Sequence, residues 1–211
     1  MASRPVLSTP PVRLVRLDEE SELIARCQSR DPAALRILFD RERSRVHGLL
    51  YRVVGSNTHM DDLIQDTFLE VFRSLPSFRG DSSLGTWIDR CAVRVAYKHF
   101  ERKKRLPLLE QVHDLGSAAP SPEERTSRRD AVRRLYAHLD RLDARQRMAF
   151  TLFAIEGRTL REIAEIMDST VATAKIRAWR ARRALERNAR KDPLLSEFLS
   201  DDAGHDEEMG R

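Results

Sequence analysis

The residues whose types and spacing promise chemistry gather between Thr159 and Arg190, and the chemistry they promise is binding of a polyanion. Ala172, Lys175, Ile176, Trp179 and Arg183 recur at helical spacing along one face, flanked by Arg177, Arg180, Arg182, Arg187, Arg190 and Lys191. Residues 170–191 hold eight Lys or Arg against one acid, Glu186. Such a face draws phosphate through its cations while the central strip can meet base edges. A solvated basic helix is the plain alternative for any charge run. Trp179 speaks against it, because a large aromatic side chain is poorly explained on a merely wetted face.

The elements that must position this face read as a helix-turn-helix. Thr159 with Glu162 three residues on is a capping box, and Leu160, Ile163, Ala164 and Met167 make one apolar face behind it. Asp168 is placed for a turn that needs a left-handed backbone. Ser169 is then expected to cap a second helix, whose stripe Val171, Ala174, Ala178, Ala181 and Leu185 is small enough for close helix contact. Two helices upstream must pack beneath it, since neither half of the motif can bury its own stripe. One runs from about Ser127 to Leu139, through Val132, Leu135 and Tyr136. The other is opened by the capping pair Asp143 and Gln146, carries Met148, Ala149, Leu152, Phe153 and Ile155, and is closed by Gly157.

A second constellation lies earlier in the chain. In HMDDLIQDTFLEVFRSLPSF, the residues Leu63, Ile64, Phe68, Val71 and Phe72 form a buried face, while Asp61, Asp62, Gln65, Asp66 and Glu70 gather opposite. An acidic stripe is not aimed at phosphate; a solvated face and a protein contact both fit its spacing. The following LGTWIDRCAVRVAYKHFERKKR carries Trp87 near its start and ends in a basic run interleaved with Tyr97 and Phe100. That mixture suits single-stranded or melted nucleic acid, whose bases can stack or be splayed into pockets. Core packing is the competing fate of Trp87. Ahead of both, a helix from Asp18 to Arg30 carries Leu23, Ile24 and Cys27. Asp31-Pro32 then restarts a longer helix with Leu35, Leu38, Phe39, Val46, Leu49, Leu50, Val53 and Val54, ended by Gly55.

Composition narrows the class. Of 211 residues 34% are charged and 6% aromatic, with few Gly and Pro, a balance that favours an all-α protein. The net charge of +5 hides an asymmetry: residues 192–211 hold seven acids and one base, a net of −6, which leaves +11 on the rest. A basic body points to nucleic acid more than to a membrane. No stretch approaches the ~20 apolar residues of a membrane span, and the N-terminus has no signal-peptide core, so a cytoplasmic protein is expected. Cys27 and Cys91 stand apart from any CxxC or CxxH pattern and read as buried thiols; no cofactor and no metal site is expected. The expected organisation is two small helical domains: a disordered start over 1–17, a domain over 18–105, a Pro-rich flexible linker over 106–126, the helix-turn-helix domain over 127–191 and an acidic tail over 192–211.

With both halves on the page, the chain resembles a bacterial RNA polymerase sigma factor of the extracytoplasmic-function group of the sigma-70 family, over about Asp18 to Arg190. DDLIQDTFLEVFRSLPSF resembles the family's region 2.2 and GTWIDRCAVRVAYKHFERKKR its regions 2.3 and 2.4. LDARQRMAFTLFAIEGRTLREIAEIMDSTVATAKIRAWRARRAL resembles its region 4. The resemblance implies that Asp62, Gln65 and Asp66 bind core RNA polymerase. It implies that Trp87, Arg90, Arg94, Tyr97, Lys98 and Arg102 meet the −10 element of promoter DNA. It also implies that Lys175, Ile176 and Trp179 read the −35 element while Arg177, Arg180 and Arg182 face its phosphates. The family further implies a separate anti-sigma factor, a monomer when free of partners, and no catalytic group. Arg94, Lys98 and Glu101 stand where the family commonly has Asn, Asp and Arg, and Ala174 and Ile176 replace a usual Val and Ser.

Two other classes compete at this point. A one-component transcription regulator would use the helix-turn-helix as a dimer and residues 18–105 as a sensing domain. An enzyme would need clustered carboxylates, His ligands or a nucleophile pair, and the six His residues are scattered.

Overall fold

A computed structural model describes residues 12–105, 124–189 and 192. Of the expected disordered start over 1–17, the linker over 106–126 and the acidic tail over 192–211, residues 1–11, 106–123 and 193–211 lie outside the described residues, whereas 12–17 and 124–126 are helical. Among the described residues eight α-helices follow one another: α1 (Val12–Gln28), α2 (Pro32–Val54), α3 (Met60–Ser74), α4 (Leu84–Arg105), α5 (Glu124–Leu139), α6 (Ala144–Phe150), α7 (Leu160–Ile166) and α8 (Val171–Ala189). All the regular structure among the described residues is helical, as the composition and periodicity imply. Two starts differ from the sequence reading: α1 opens at Val12, ahead of Asp18, and α5 at Glu124, ahead of Ser127. None of these helices is long and apolar enough to cross a membrane.

The first half is built on α2, α3 and α4. Asp31 caps α2 by accepting the Ala33 N–H at 2.9 Å, and Pro32 occupies the first turn, where a missing N–H costs nothing. Gly55, at φ 76°, ends the helix in the left-handed region and donates to the Tyr51 carbonyl. Leu38, Val46 and Leu50 from α2, Phe68 and Val71 from α3, and Ile88, Ala92 and Ala96 from α4 fill the common core. Each large aliphatic side chain so buried contributes about 1.5–3 kcal/mol. Phe39 meets Phe68 edge-on at 4.6 Å. Cys27 and Cys91 are buried free thiols, and burial pushes that of Cys91 up to about 11.

The second half packs α6 beneath the helix-turn-helix. Met148, Ala149 and Leu152 are buried, and α6 runs into a wider-wound turn over Thr151–Ile155 that closes with the Glu156 N–H on the Thr151 carbonyl. Gly157, at φ 64°, then stops the helix. Thr159 and Glu162 form the reciprocal capping box, and Asp168 adopts the left-handed backbone, φ 49°, that the turn requires. Two local expectations are corrected. The cap of α8 is Thr170, whose hydroxyl accepts the Thr173 N–H at 3.1 Å, whereas the Ser169 hydroxyl is buried without a partner. Asp143 does cap α6, through the Arg145 N–H, but Gln146 does not reciprocate and lines a hollow beside Trp179.

The two halves are docked on each other. Arg147, 2% exposed, enters the C-terminal end of α2, where its guanidinium donates to the carbonyls of Val53 at 2.8 Å and Val54 at 2.7 Å and also pairs with Asp140. Carbonyls at a helix end have no intrahelical partner, so this arginine satisfies them and meets the negative end of the dipole. The Tyr136 hydroxyl donates to the Arg52 carbonyl at 2.9 Å, and Arg52 pairs with Glu156. The Tyr136 ring lies so close to Gly55 that a Cβ there would fall 2.1 Å from it.

Candidate nucleic-acid interface

The acidic face sits on α3, with Leu63, Ile64 and Phe68 turned inward. Asp62 and Gln65 are exposed, and Asp66 lies 3.6 Å from Arg102 of α4. Leu69, 59% exposed, stands on the same helix, and a shallow apolar hollow between α2 and α3 is lined by Phe39, Ile64, Gln65, Phe68, Leu69 and Phe72. Carboxylates beside an uncovered leucine and a phenylalanine-lined hollow make a surface for protein, not for phosphate. Reading α3 by charge alone missed Leu69; its place one residue outside the buried stripe was the available signal.

On α8 the alanine stripe behaves as its spacing requires. Ala174, Ala178, Ala181 and Leu185 are buried, whereas Val171 is 46% exposed and does not join them. Ile176 and Trp179 therefore point outward, 49% and 46% exposed. Arg183 lies over the Trp179 ring at 5.2 Å, and Arg180 is exposed beside it. Trp179, Arg180, Arg183, Ala184 and Arg187 line an open hollow with Gln146. Lys175 is half-buried, and Arg182 pairs with Glu186 at 3.0 Å. Arg190 and Lys191 lie outside the described residues.

The α4 face is arranged differently. Trp87 is half-buried, its ring 5.3 Å from that of Phe78, so packing claims part of it. Arg90 donates to the Glu165 carbonyl of α7 at 3.0 Å, and Arg94 lies 3.5 Å from Asp168 in the helix-turn-helix turn. Tyr97 carries Arg145 of α6 over its ring at 5.2 Å. Arg94, Tyr97 and Lys98 share with Arg145, Asp168 and Arg177 a cleft of about 250 Å³ between the halves. Arg177 is held below the ordinary arginine range there, by burial first and then by Arg145. Thus one residue expected at the −35 element and three expected at the −10 element line a single cleft.

Earlier on α4, Asp89, 1% exposed, lies between Arg45 of α2 and Arg158 of the second half, the latter at 2.9 Å. Burial raises its carboxyl despite both arginines. Asp89, Arg147 and Arg158 were not singled out by sequence, and Tyr136 was read only as an apolar position of its helix. Arg147 shares a buried face with Met148, Thr151 and Leu152, and a cation in that register was the one local signal. Towards the end of α4, His99 is lowered to about 4, by burial first and then by His59, Lys103, Arg102 and Arg147.

Comparisons with known proteins follow this geometry. The family model for sigma-70 region 2 matches residues 38–106, and that for sigma-70 region 4 matches residues 133–185. The extracytoplasmic-function RNA polymerase sigma-E factor of Haemophilus influenzae is 32% identical over 177 residues, 79% of this chain and 93% of that protein. Among solved structures, CnrH bound to the cytosolic domain of CnrY aligns with a TM-score of 0.57 at 22% identity, covering 81% of this chain and 96% of that one. The sigma factor RpoE of Bartonella quintana, solved with the anti-sigma factor NepR, aligns with a TM-score of 0.53 at 21% identity, covering 74% and 97%.

Proposed function

The chain belongs to the sigma-70 family, in its extracytoplasmic-function group, as a sigma factor directing transcription initiation, and we propose which of its faces meets which partner. The α3 face, through Asp62, Gln65 and Asp66 with Leu69 beside them, binds core RNA polymerase. The α4 face, through Trp87, Arg90, Arg94, Tyr97, Lys98 and Arg102, meets the −10 element. On α8, Lys175, Ile176 and Trp179 read the −35 element while Arg177, Arg180 and Arg182 hold its phosphates. The reaction chemistry is the polymerase's, and this chain supplies position and sequence choice. Its site of action is the cytoplasm, where an anti-sigma factor restrains it, as in the solved RpoE complex with NepR. The family matches run through both halves, which removes the reason to treat the first as a sensing domain.

The observation that carries this reading is the outward pair Ile176 and Trp179, half-exposed on a helix whose buried side is alanine and whose flanks are arginine. Large apolar side chains held outward by such a stripe are placed to meet base edges. The test is reconstitution with core polymerase and run-off transcription from a promoter library. Asp62→Lys with Asp66→Lys should lower core affinity by about a hundredfold or more while melting within a few degrees of the parent, since reversing surface charges costs little stability. Unchanged core affinity would overturn the α3 assignment.

A further inference from the structure

The proposed function gives the acidic residues after α8 no partner. Residues 193–211 hold six acids, Glu197, Asp201, Asp202, Asp206, Glu207 and Glu208, against one base, Arg211. The carboxylate that opens this run, Asp192, does not stand in solvent. Its side chain is 14% exposed and lies 2.9 Å from Arg134 and 3.9 Å from the His138 ring, both on α5. The chain leaving α8 is therefore drawn back onto the second half.

A surface of opposite charge begins five positions earlier in the chain, at Arg187. Arg180, Arg183 and Arg187 recur three and four residues apart, hence on one face of α8, and line an open hollow of about 390 Å³ with Trp179, Ala184 and Gln146. All three arginines are exposed, and none has a carboxylate partner among the described residues, whereas Arg182 pairs with Glu186. The tail matches this lining in kind, since Leu194, Leu195, Phe198 and Leu199 are interleaved with its acids. It also has the reach. Asp201 stands nine residues beyond Asp192, up to ~30 Å of chain, while Arg180 and Arg187 are only ~10 Å apart along the helix.

We propose that the acidic tail is an intramolecular ligand of the α8 hollow, its carboxylates on Arg180, Arg183 and Arg187 and its apolar side chains against Trp179, and that it competes there with duplex DNA. The proposal rests on the reading of α8 as the duplex-facing helix. Tethering holds the tail at a local concentration in the millimolar range, so contacts too weak to retain a free peptide suffice. Exposed ion pairs are individually weak and screened by salt, which keeps the tail displaceable. An occupant present about two-thirds to three-quarters of the time lowers the affinity for any duplex by about three- to fourfold. The factor is the same for every sequence, so the tail reduces idle binding along DNA without altering the ranking of −35 sequences.

The test reads contact with Trp179 directly. Cys27 and Cys91 are buried, so Ser200→Cys in the full chain takes a bimane label selectively. Bimane emission is quenched by a tryptophan in contact with it. Emission in ~0.02 M salt should be about half or less of that in ~1 M salt, where the Debye length is only ~3 Å. Trp179→Phe should abolish the quenching and Trp87→Phe should leave it. A mixed-sequence duplex of about 20 base pairs, held at low salt by phosphate attraction, should restore emission as it binds. Neutralising the tail by Asp201→Asn, Asp202→Asn, Asp206→Asn, Glu207→Gln and Glu208→Gln should restore emission without DNA and tighten duplex binding by about three- to fourfold.

Emission that ignores both salt and Trp179→Phe overturns the docking, even if the neutralised tail tightens duplex binding, because a solvated tail repels DNA through its field alone. Quenching that survives saturating duplex overturns the competition. The reading of α8 is tested separately: in the neutralised chain, Arg180→Ala should still weaken duplex binding. If it does not, that reading fails, whatever the bimane shows about where the tail lies.

Discussion

The two helices proposed to meet promoter DNA are similar in composition and opposite in how they are held. α4 is set by bulk: Leu84, Ile88, Val95 and the small residues between them are buried against α2 and α3. α8 is set by closeness: Ala174, Ala178 and Ala181 are fully or almost fully buried, and the large side chains Ile176 and Trp179 are on the outside. A helix seated by large residues tolerates poorly the loss of volume; one seated by alanines tolerates poorly its gain. The same contrast extends to their surfaces, since α4 spends Arg90, Arg94 and Tyr97 on the other half while Trp179 and Arg180 stay open.

The largest effects should come from testing that contrast directly. Ile88→Ala leaves a cavity in the first half and should cost about 3 kcal/mol in urea unfolding. Ala178→Leu overpacks the second and should cost about 1–3 kcal/mol while displacing α8. If Ala178→Leu proves neutral, the alanine stripe is not the device that seats α8.

Next in size is the division of labour on α8. Trp179→Ala should cost about 1–3 kcal/mol at preferred −35 sequences and change their ranking. Arg180→Ala should weaken every sequence about equally and make the salt dependence shallower by ~1 in slope. A binding survey across −35 variants at several salt concentrations separates them, and uniform weakening by both would merge the two roles.

How much of this was legible in the sequence depended on the range of the contact. The capping box at Thr159, the left-handed turn at Asp168, the stop at Gly55 and the alanine stripe are each decided within a few residues, and each is present. The docking of the halves is not local. Arg147 reaches carbonyls 93 and 94 positions away, and Arg158 a carboxylate 69 positions away. Nothing in the period of either helix encodes such a partner. The same holds for the role of Gly55, legible as a helix stop but not as the seat of the Tyr136 ring.

A smaller effect distinguishes the ends of α4. His99 is lowered to about 4 by burial and then by His59, Lys103, Arg102 and Arg147, whereas an unfolded histidine titrates near 6.5. Below 6.5 the unfolded chain takes up a proton that the folded chain refuses, so this group's stabilisation is complete above pH 6.5 and is lost as pH falls towards 4. At 1.36 kcal/mol per unit such a shift is ~3 kcal/mol, and solvent screening of the part-exposed ring brings the expected loss to about 2 kcal/mol. His99→Gln should flatten the stability profile over that window. A parent and variant with parallel profiles would mean that His99 titrates in the fold as it does in the open chain.

The smallest effect settles which residue starts α8, and it bears on the contrast because the cap fixes the register of the alanine stripe. Thr170 accepts the Thr173 N–H at 3.1 Å, and its hydroxyl also lies 2.8 Å from that of Thr173. The neighbouring Ser169 hydroxyl is buried without a partner. Losing a cap side chain costs about 1 kcal/mol, whereas removing a buried hydroxyl that makes no hydrogen bond removes a desolvated group for which nothing compensates. Thr170→Ala should therefore destabilise the second half by about 1 kcal/mol, and Ser169→Ala should be neutral or slightly stabilising. Both substitutions leave the outward face of α8 untouched, so the difference should appear in thermal melts and not in the ranking of −35 sequences. The reverse order of stabilities would return the cap to Ser169, one residue earlier, and with it the start of the helix that carries Ile176 and Trp179.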